Sequence, residues 1–304
     1  MKYALIDMGS NSVRLTVYYL DRTNFQILFK EKIMAGLAGC VENGVLSQEG
    51  ICCACQSIQQ FQSTLKLLDI AQLSVFATAS LRNISNSAEA LAQIQQETGV
   101  TVEILSGESE AEYGFAGAVC DVPVDEGLFT DIGGASVELG LFSQGKLVRA
   151  GSVPVGSLKL YRDCVKKLLP KKNAREAIQK TIRDTFTKSD LDALPPRAHF
   201  VCVGGTARAT LKLCRALYDL PDTCHTFTRD QLEGLAKILC KADKDAVNVI
   251  LRYEPERIHT MIPGIMVLCY LADRYQAEDF TVSHYGVREG YLRSRVQPTL
   301  PEEA

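Results

Sequence analysis

The stretch YALIDMGSNSVRL, residues 3–15, returns in altered form as LFTDIGGASVEL, residues 128–139. Asp7 aligns with Asp131 and Ser12 with Ser136 at one constant offset of 124 residues, so a single gapless alignment serves both copies. Each copy has an apolar run, a small polar turn and an alternating run, which is typical of a β-hairpin. The repeat therefore predicts two related domains that each open with a hairpin.

The segments around the two copies alternate predicted strands with predicted helices, which indicates an α/β fold. The predicted elements are, in order, a helix over 48–68, a strand over 73–77, a helix over 87–97, a strand over 101–105, a helix over 108–119, a long helical region from about 157 to 188, and a strand over 199–203. Pro123 and its acidic neighbours interrupt this pattern. We therefore expect one domain over 1–122 and a second over 123–304.

Composition limits the classes of function that the chain can have. Hydrophobic residues make up 46% of the 304 residues, which is enough to bury a sizeable core. The 33 Lys and Arg residues against 36 Asp and Glu give a net charge of -3. This balance argues against a polycationic surface for nucleic acid, so no nucleic acid polymer is expected as a partner. Any anionic ligand must be bound locally.

The sequence also gives no sign of a membrane partner. The longest apolar stretch, 261–272, is interrupted by Pro263 and Gly264 and is shorter than the roughly 18 residues that a membrane helix needs. Only a few apolar residues precede Asp7, so no secretory signal is indicated. We expect a cytoplasmic protein.

The eleven cysteines are an odd number and form no Cys/His cluster with the spacing of a zinc site. The densest group, Cys52, Cys53 and Cys55, lies on a predicted helix that Ser47 caps. We favour reduced thiols that pack as small apolar residues over a metal or redox role.

The two hairpin turns are candidate anion sites. A glycine-rich turn after a buried strand lets backbone N–H groups approach an anion, because no Cβ atom is in the way. The candidate residues are Gly9, Ser10, Asn11 and Ser12 in the first turn and Gly133, Gly134, Ala135 and Ser136 in the second. One such turn is equally compatible with an ordinary hairpin, whereas the duplicated pair favours two phosphate loops. Asp7 and Asp131 could then hold Mg2+ through water.

A third glycine turn, formed by Gly204, Gly205 and Thr206, follows the strand predicted over 199–203 and opens a predicted helix. Free N–H groups at a helix N-terminus attract anions, so a phosphate or nucleotide could bind here. A strand-to-helix turn with a threonine cap fits the sequence equally well.

Six segments resemble, in order, the exopolyphosphatase and guanosine-pentaphosphate phosphatase family of the actin/sugar-kinase/Hsp70 ATPase superfamily. They are residues 7–12, 77–82, 105–111, 131–139, 203–206 and 283–290. The resemblance is to the shorter, two-domain members, and it implies two related ribonuclease H-like (actin-like ATPase) domains with the active site in the cleft between them. It also implies a homodimer and the absence of the C-terminal helical domains of longer members.

The resemblance implies roles for individual residues. Glu110 would orient and deprotonate the attacking water, Arg82 would bind a substrate phosphate, and Glu138 would be a second catalytic carboxylate or a metal ligand. Asp7 and Asp131 would be the other Mg2+ partners. Cleavage of a phosphoanhydride requires a positioned water, a metal and a cation near the transferred group, and these residue types can supply them. The alternative for Glu110 is a solvated acidic helix start favoured by the helix dipole.

The sequence departs from the family pattern at three places. The stretch 36–40 lacks the arginine and the acidic residue usual there, Ser109 replaces a carboxylate, and Ala135 replaces a glycine. An added methyl group at 135 is tolerated if the backbone has a negative φ.

The function expected from these observations is Mg2+-dependent release of terminal phosphate from inorganic polyphosphate, with guanosine pentaphosphate as the alternative substrate. A kinase of the same superfamily and a non-catalytic sensor of (p)ppGpp or polyphosphate remain open. The basic residues between Lys159 and Arg175 would favour a long polyanion, unless they are a solvated helix face.

Overall fold

A computed structural model describes residues 1–123 and 125–300 of the chain. These residues divide into two compact units. Unit 1 is Met1–Glu110 together with the chain from Tyr291 onward, and unit 2 is Ala111–Gly290. The boundary expected after residue 122 thus lies inside unit 2, and the last segment, expected in the second domain, belongs to unit 1.

Unit 1 is built on a five-stranded sheet with the strand order β3-β2-β1-β6-β7. The first three strands pair antiparallel, whereas β6 and β7 join β1 in parallel. The elements are β1 (Lys2–Met8), β2 (Val13–Leu20), β3 (Phe25–Ile33), the short pair β4 (Val41–Glu42) and β5 (Val45–Leu46), α1 (Gln48–Leu67), β6 (Leu73–Ala77), α2 (Ala79–Arg82), α3 (Ser87–Thr98), β7 (Val102–Ile104) and α4 (Gly107–Ala118), which continues into unit 2.

Unit 2 repeats this topology in a six-stranded sheet of order β10-β9-β8-β11-β13-β12. Three antiparallel strands are again followed by two parallel ones, and β12 is added antiparallel at the edge. The elements are β8 (Gly127–Ile132), β9 (Val137–Ser143), β10 (Lys146–Val153), α5 (Ser157–Cys164), α6 (Lys172–Phe186), β11 (His199–Val203), α7 (Gly204–Tyr218), β12 (Thr226–Thr228), α8 (Arg229–Leu239), α9 (Lys244–Tyr253), α10 (Met261–Tyr275), β13 (Asp279–Val282) and α11 (Val287–Tyr291). The internal repeat is therefore confirmed as two equivalent hairpins, β1–β2 and β8–β9.

Each unit has its own apolar core. In unit 1, the core side chains of β1, β2 and β6 pack against α1 and α3. In unit 2, most of the helices cover one face of the sheet. A smaller cluster forms where Phe115 of α4 packs against Phe129 and Phe142 of the sheet, with ring centroids 6.0 and 5.2 Å away. The sheet of unit 2 is thus covered on both faces, as expected for strands made largely of apolar residues.

The helical region expected from 157 to 188 is two helices rather than one long helix. α5 ends at Cys164 and α6 begins at Lys172, and the segment between them contains Pro170, which is buried. Proline has no N–H group to donate and disfavours helical backbone in the residue before it, so one helix cannot run through this segment. The other predicted elements before residue 204 are confirmed with end shifts of a few residues.

The chain from Tyr291 onward is tied to unit 1 by specific contacts. The Tyr291 hydroxyl donates to Oε2 of Glu103 at 2.8 Å, and the Tyr291 ring packs on Phe76 with centroids 5.1 Å apart. The Gln297 amide donates to the carbonyl groups of Asp21 and Asn24 at 2.8 and 2.9 Å. These are long-range contacts, and sequence order alone does not reveal them.

The cysteines are free thiols. Cys52 and Cys55 have Cys-x-x-Cys spacing on α1, but Cys52 is exposed while Cys55 is buried in the core of unit 1. Burial raises the pKa of the Cys55 thiol to about 12. Cys55 is therefore a neutral core residue at pH 7, in agreement with the apolar role expected for it.

Helix α4 and the segment that leads into α11 touch backbone to backbone. A Cβ atom at Gly117 would overlap the carbonyl oxygen of Gly286, and one at Gly290 would overlap the carbonyl oxygen of Tyr113. Only glycine permits this approach, because any side chain would force the two backbones apart.

We therefore predict that Gly117→Ala lowers the free energy of unfolding by about 1–3 kcal/mol, the usual cost of overpacking. Urea denaturation followed by circular dichroism measures the change. Gly39→Ala is the control, since a Cβ there meets nothing within 4 Å. A Gly117→Ala protein as stable as the control would contradict the close contact.

Candidate active site

The two hairpin turns have the same geometry. In the first turn, Gly9–Ser12, the N–H of Gly9 donates to the carbonyl of Ser12 at 3.1 Å. In the second turn, Gly133–Ser136, the N–H of Gly133 donates to the carbonyl of Ser136 at 3.0 Å. A Cβ at Gly9 or Gly133 would come within 3.2 Å of that same carbonyl oxygen. A side chain at the first position of either turn would therefore make a tight contact with the turn's own backbone.

The carbonyl groups of the first turn are held by the segment that departs from the family pattern. The N–H groups of Gly36 and Ala38 donate to the carbonyls of Asn11 and Ser10 at 3.0 and 2.9 Å. Both contacts come from the backbone, so they do not depend on the side chains that the stretch 36–40 lacks. The stretch therefore still supports the turn.

The carbonyl groups of the second turn are held by the start of α5. The N–H of Ser157 donates to the carbonyl of Gly133, and those of Leu158 and Lys159 donate to the carbonyl of Gly134, all at 2.9 Å. A Cβ at Gly156 would overlap the backbone of Gly134 and Ala135, so the close packing of this segment against the second turn depends on glycine.

Anchored carbonyls leave the N–H side of each turn for a ligand. In the part of the chain that the structure describes, the N–H groups of residues 10–12 and 134–136 donate to no protein acceptor. Several adjacent unpaired N–H groups form an anion-binding concavity. Ala135 is not among the described residues with positive φ, so its methyl group causes no backbone strain. The geometry of both turns suits a phosphate.

Unit 1 places a buried carboxylate beside a guanidinium. Nη1 of Arg82, at the end of α2, donates to Oε2 of Glu110 and to the carbonyl of Leu105, both at 2.8 Å. Glu110 is only 8% exposed, whereas Glu108 and Glu112 on the same helix are exposed. The solvated helix start considered as an alternative therefore describes Glu108 and Glu112 but not Glu110.

The two hairpins differ in the charge that faces the aspartate. Asp7 is opposite Arg14 across β1–β2, while Asp131 is opposite Glu138 across β8–β9. Opposed residues of an antiparallel pair lie on one face with Cβ atoms about 5 Å apart. Glu138 is 1% exposed, and Oε1 of Glu138 accepts a hydrogen bond from Ser152 at 2.7 Å. Two carboxylates thus meet in the second hairpin but not in the first.

The third glycine turn is the first turn of α7 itself, and it packs on the second hairpin. Gly204 has φ +81°, and a Cβ there would overlap the carboxylate of Asp131. The Thr206 hydroxyl donates to the carbonyl of Ile132 at 2.9 Å. The structure therefore brings Asp131, Gly204 and Thr206 together. The hydroxyl of Thr206 binds the hairpin instead of capping α7.

Arg257 is a site residue that the sequence did not indicate. Its guanidinium lies directly against Gly205, where a Cβ would overlap it, and its Nε is 3.6 Å from Oε2 of Glu254. Arg257 follows α9, more than 50 residues after the glycine turn, and belongs to no motif. Only a contact prediction across that distance could have revealed it.

The basic residues between Lys159 and Arg175 are partly used within the fold. Nζ of Lys159 is 2.6 Å from Oδ2 of Asp163, Lys171 donates to the carbonyl of Ala242, and Arg175 donates to the carbonyl of Pro170 at 3.1 Å. These contacts favour the solvated helix face over an uninterrupted track for a polyanion.

Comparison with known protein families shows which family the chain is similar to. The profile of the Ppx/GppA phosphatase family matches residues 16–298. The chain belongs to this family. The two related domains that the internal repeat predicted, and the actin-like fold that the family resemblance implied, are therefore both confirmed.

Individual Ppx/GppA relatives match over almost the whole chain. A Haemophilus influenzae protein named "Putative exopolyphosphatase" is 26% identical over 298 residues, which are 96% of this chain and 90% of the relative. The crystal structure of the Aquifex aeolicus Ppx/GppA family member has a TM-score of 0.78 at 23% identity and covers 98% of both chains. An exopolyphosphatase from Cytophaga hutchinsonii has a TM-score of 0.84 at 20% identity and covers 96% of both chains.

None of the helices in residues 1–123 and 125–300 combines the length and apolar character needed to span a membrane.

The contact of Arg82 with Glu110 can be tested through stability. We predict that Arg82→Met lowers the free energy of unfolding by about 2–3 kcal/mol, because a buried carboxylate loses a charged donor. The double variant Arg82→Met/Glu110→Gln should lose clearly less free energy of unfolding than the summed losses of Arg82→Met and Glu110→Gln. Urea denaturation of the unaltered protein, the two single variants and the double variant gives the coupling free energy between Arg82 and Glu110.

Lys159→Met is the control for this cycle, because it breaks an exposed ion pair and should change stability by no more than about 1 kcal/mol. Strictly additive effects of the Arg82 and Glu110 substitutions would contradict the pairing.

Proposed function

We propose that this chain is a Mg2+-dependent phosphohydrolase that releases the terminal phosphate of inorganic polyphosphate by attack of water. The observation that carries the proposal is the buried carboxylate of Glu110, held by Arg82 at 2.8 Å. It is supported by two equivalent glycine turns with open N–H groups and by the exopolyphosphatase names of two relatives.

Glu110 is the proposed general base. Its carboxylate would accept a hydrogen bond from the attacking water and take its proton as the water oxygen bonds to the terminal phosphorus. The bond from that phosphorus to the bridging oxygen breaks in the same displacement, and the bridging oxygen leaves with the shortened polyphosphate. Arg82 would keep the carboxylate in one orientation, so that the water is held in a productive position. A guanidinium has five N–H donors in a planar arrangement that matches the oxygens of a phosphate. Arg82 is therefore also suited to bind a phosphate oxygen.

The two turns are the proposed phosphate contacts. Gly9–Ser12 and Gly133–Ser136 each present consecutive N–H groups, and donors of this kind stabilise phosphate oxygens as charge shifts during phosphoryl transfer. Their anchored carbonyls mean that little reorganisation is needed when the anion binds.

The residues present fit a Mg2+ ion in unit 2. Asp131 and Glu138 offer oxygen ligands on one face of the hairpin, and two like charges directly opposite each other destabilise a sheet unless a cation lies near them. Mg2+ is usually bound by one or two carboxylates, with waters and substrate phosphates completing its shell. When bound, it would neutralise phosphate charge. Asp7, the third predicted ligand, is paired in register with Arg14 and is the weaker candidate.

We predict that Glu110→Gln lowers the rate of phosphate release by about 100-fold or more, the scale expected for loss of a general base. Glu108→Gln and Glu112→Gln are matched controls, because both are exposed carboxylates on the same helix and should retain activity within a few-fold. The assay measures phosphate released with Mg2+ from long-chain polyphosphate, tripolyphosphate, guanosine pentaphosphate and ATP.

The substrate panel separates the remaining functions. Fastest turnover of guanosine pentaphosphate would replace polyphosphate as the substrate and leave the roles of Glu110 and Arg82 unchanged. No phosphate release from any of the four by the unaltered protein would overturn the hydrolase proposal. Phosphate transfer that requires an acceptor would then indicate a kinase, and binding without turnover would indicate a sensor.

Magnesium binding has a separate test. We predict that Asp131→Asn and Glu138→Gln each weaken Mg2+ binding at least about tenfold, because each removes an anionic oxygen ligand. Isothermal titration with MgCl2 in the absence of phosphate measures binding without reference to activity. Asp7→Asn should have a smaller effect, and an equal loss in all three variants would contradict the assignment to the second hairpin.

A further inference from the structure

Unit 2 contains a groove among its helices. The residues proposed above as catalytic or phosphate-binding do not line this groove. The groove has a volume of about 450 Å³ and lies between α6 and α8, with α10 packed against both helices. Pockets for small organic ligands have volumes of roughly 300–1,000 Å³. The space is therefore large enough for a small molecule.

The floor of the groove is apolar and uncharged. Met266, Cys269 and Tyr270 of α10 lie there, and Met266 is almost fully buried. Burial raises the pKa of the Cys269 thiol and of the Tyr270 hydroxyl to about 12. Both groups are neutral at pH 7, so the floor repels neither an apolar group nor an anion.

The acidic side chains of the groove are already neutralised. Glu233 of α8 accepts a hydrogen bond from Nε of Arg229 at 2.8 Å, and Asp273 of α10 is paired with the same guanidinium. The hydrogen bond from Arg229 lowers the pKa of Glu233. One arginine thus binds both carboxylates of the lining.

The basic side chains of the groove outnumber these carboxylates. Arg175 and Arg183 of α6 and Lys237 of α8 line opposite walls of the groove. Three cationic side chains thus line the groove together with two carboxylates that Arg229 already binds. Arg183 and Lys237 are exposed, so their charged groups are available at the rim.

We propose that this groove binds a small organic anion, with an apolar body on Met266, Cys269 and Tyr270 and a carboxylate, sulfonate or phosphate group at Arg183 and Lys237. The apolar floor disfavours inorganic polyphosphate, which has no apolar part. The proposal is independent of the phosphohydrolase activity, because the groove is built from residues of α6, α8 and α10 that take no part in it.

The probe for the test is 8-anilinonaphthalene-1-sulfonate, and its uncharged counterpart N-phenyl-1-naphthylamine has the same aromatic body without the anion. Fluorescence titration of the folded protein should show the sulfonate bound about tenfold more tightly than the neutral amine. Ala236→Trp, which fills the groove from α8, should abolish binding of both probes. Saturating tripolyphosphate should not displace either probe.

If Ala236→Trp disturbs folding, variants that remove the basic side chains of the groove test the proposal instead. Arg183→Gln/Lys237→Gln should weaken sulfonate binding about fivefold to tenfold and leave the neutral amine unchanged. The matched control is Lys172→Gln/Lys180→Gln, which removes two exposed charges of α6 outside the groove and should change neither titration. Equal affinity for the two probes, equal effects of the two double variants, or displacement by tripolyphosphate would overturn the proposal.

Discussion

Both candidate anion sites depend on one constraint: a later segment of the chain donates backbone hydrogen bonds to the carbonyl groups of each turn. A tight turn between two strands has carbonyl and N–H groups that point in different directions, and an anion can approach only the N–H side. In unit 1 the backbone of Gly36 and Ala38 holds the carbonyls, and in unit 2 the start of α5 does so. Different secondary structure thus solves the same problem in the two units. Each turn is fixed before any ligand arrives, which lowers the reorganisation that binding requires.

The two hairpins share this backbone geometry but differ in the charged residue that lies opposite the aspartate. Asp7 and Asp131 occupy the same register position, but their partners across the hairpin are Arg14 and Glu138. In the first hairpin an aspartate lies opposite an arginine, whereas in the second two carboxylates lie opposite each other, and like charges in that position destabilise a sheet. The two units are therefore not interchangeable. Unit 1 adds the buried carboxylate of Glu110 with its arginine, and unit 2 adds a pair of carboxylates.

The sequence predicted what local patterns determine. The hairpins, the strand over 73–77 and the helix beginning at Gln48 follow from apolar periodicity and a serine cap, and all are present. Contacts between distant segments had no local signal. Arg82 meets Glu110 from 28 residues away, Arg257 reaches Gly205, and Tyr291 returns to unit 1. The break between α5 and α6 is different, because Pro170 in the segment between them is a local signal that the sequence does contain.

The glycines around the second hairpin explain why some departures from the family pattern are tolerated and others would not be. Gly204 and Gly205 leave room for the Asp131 carboxylate and the Arg257 guanidinium, so any side chain there would displace a charged group. The backbone at Ala135 does not have a positive φ, so this position does not need glycine. Its counterpart in the first turn, Asn11, is not glycine either. The family glycine at 135 is therefore dispensable for the turn, while Gly204 is required, because the Asp131 carboxylate already occupies the space of a Cβ there and its φ is +81°.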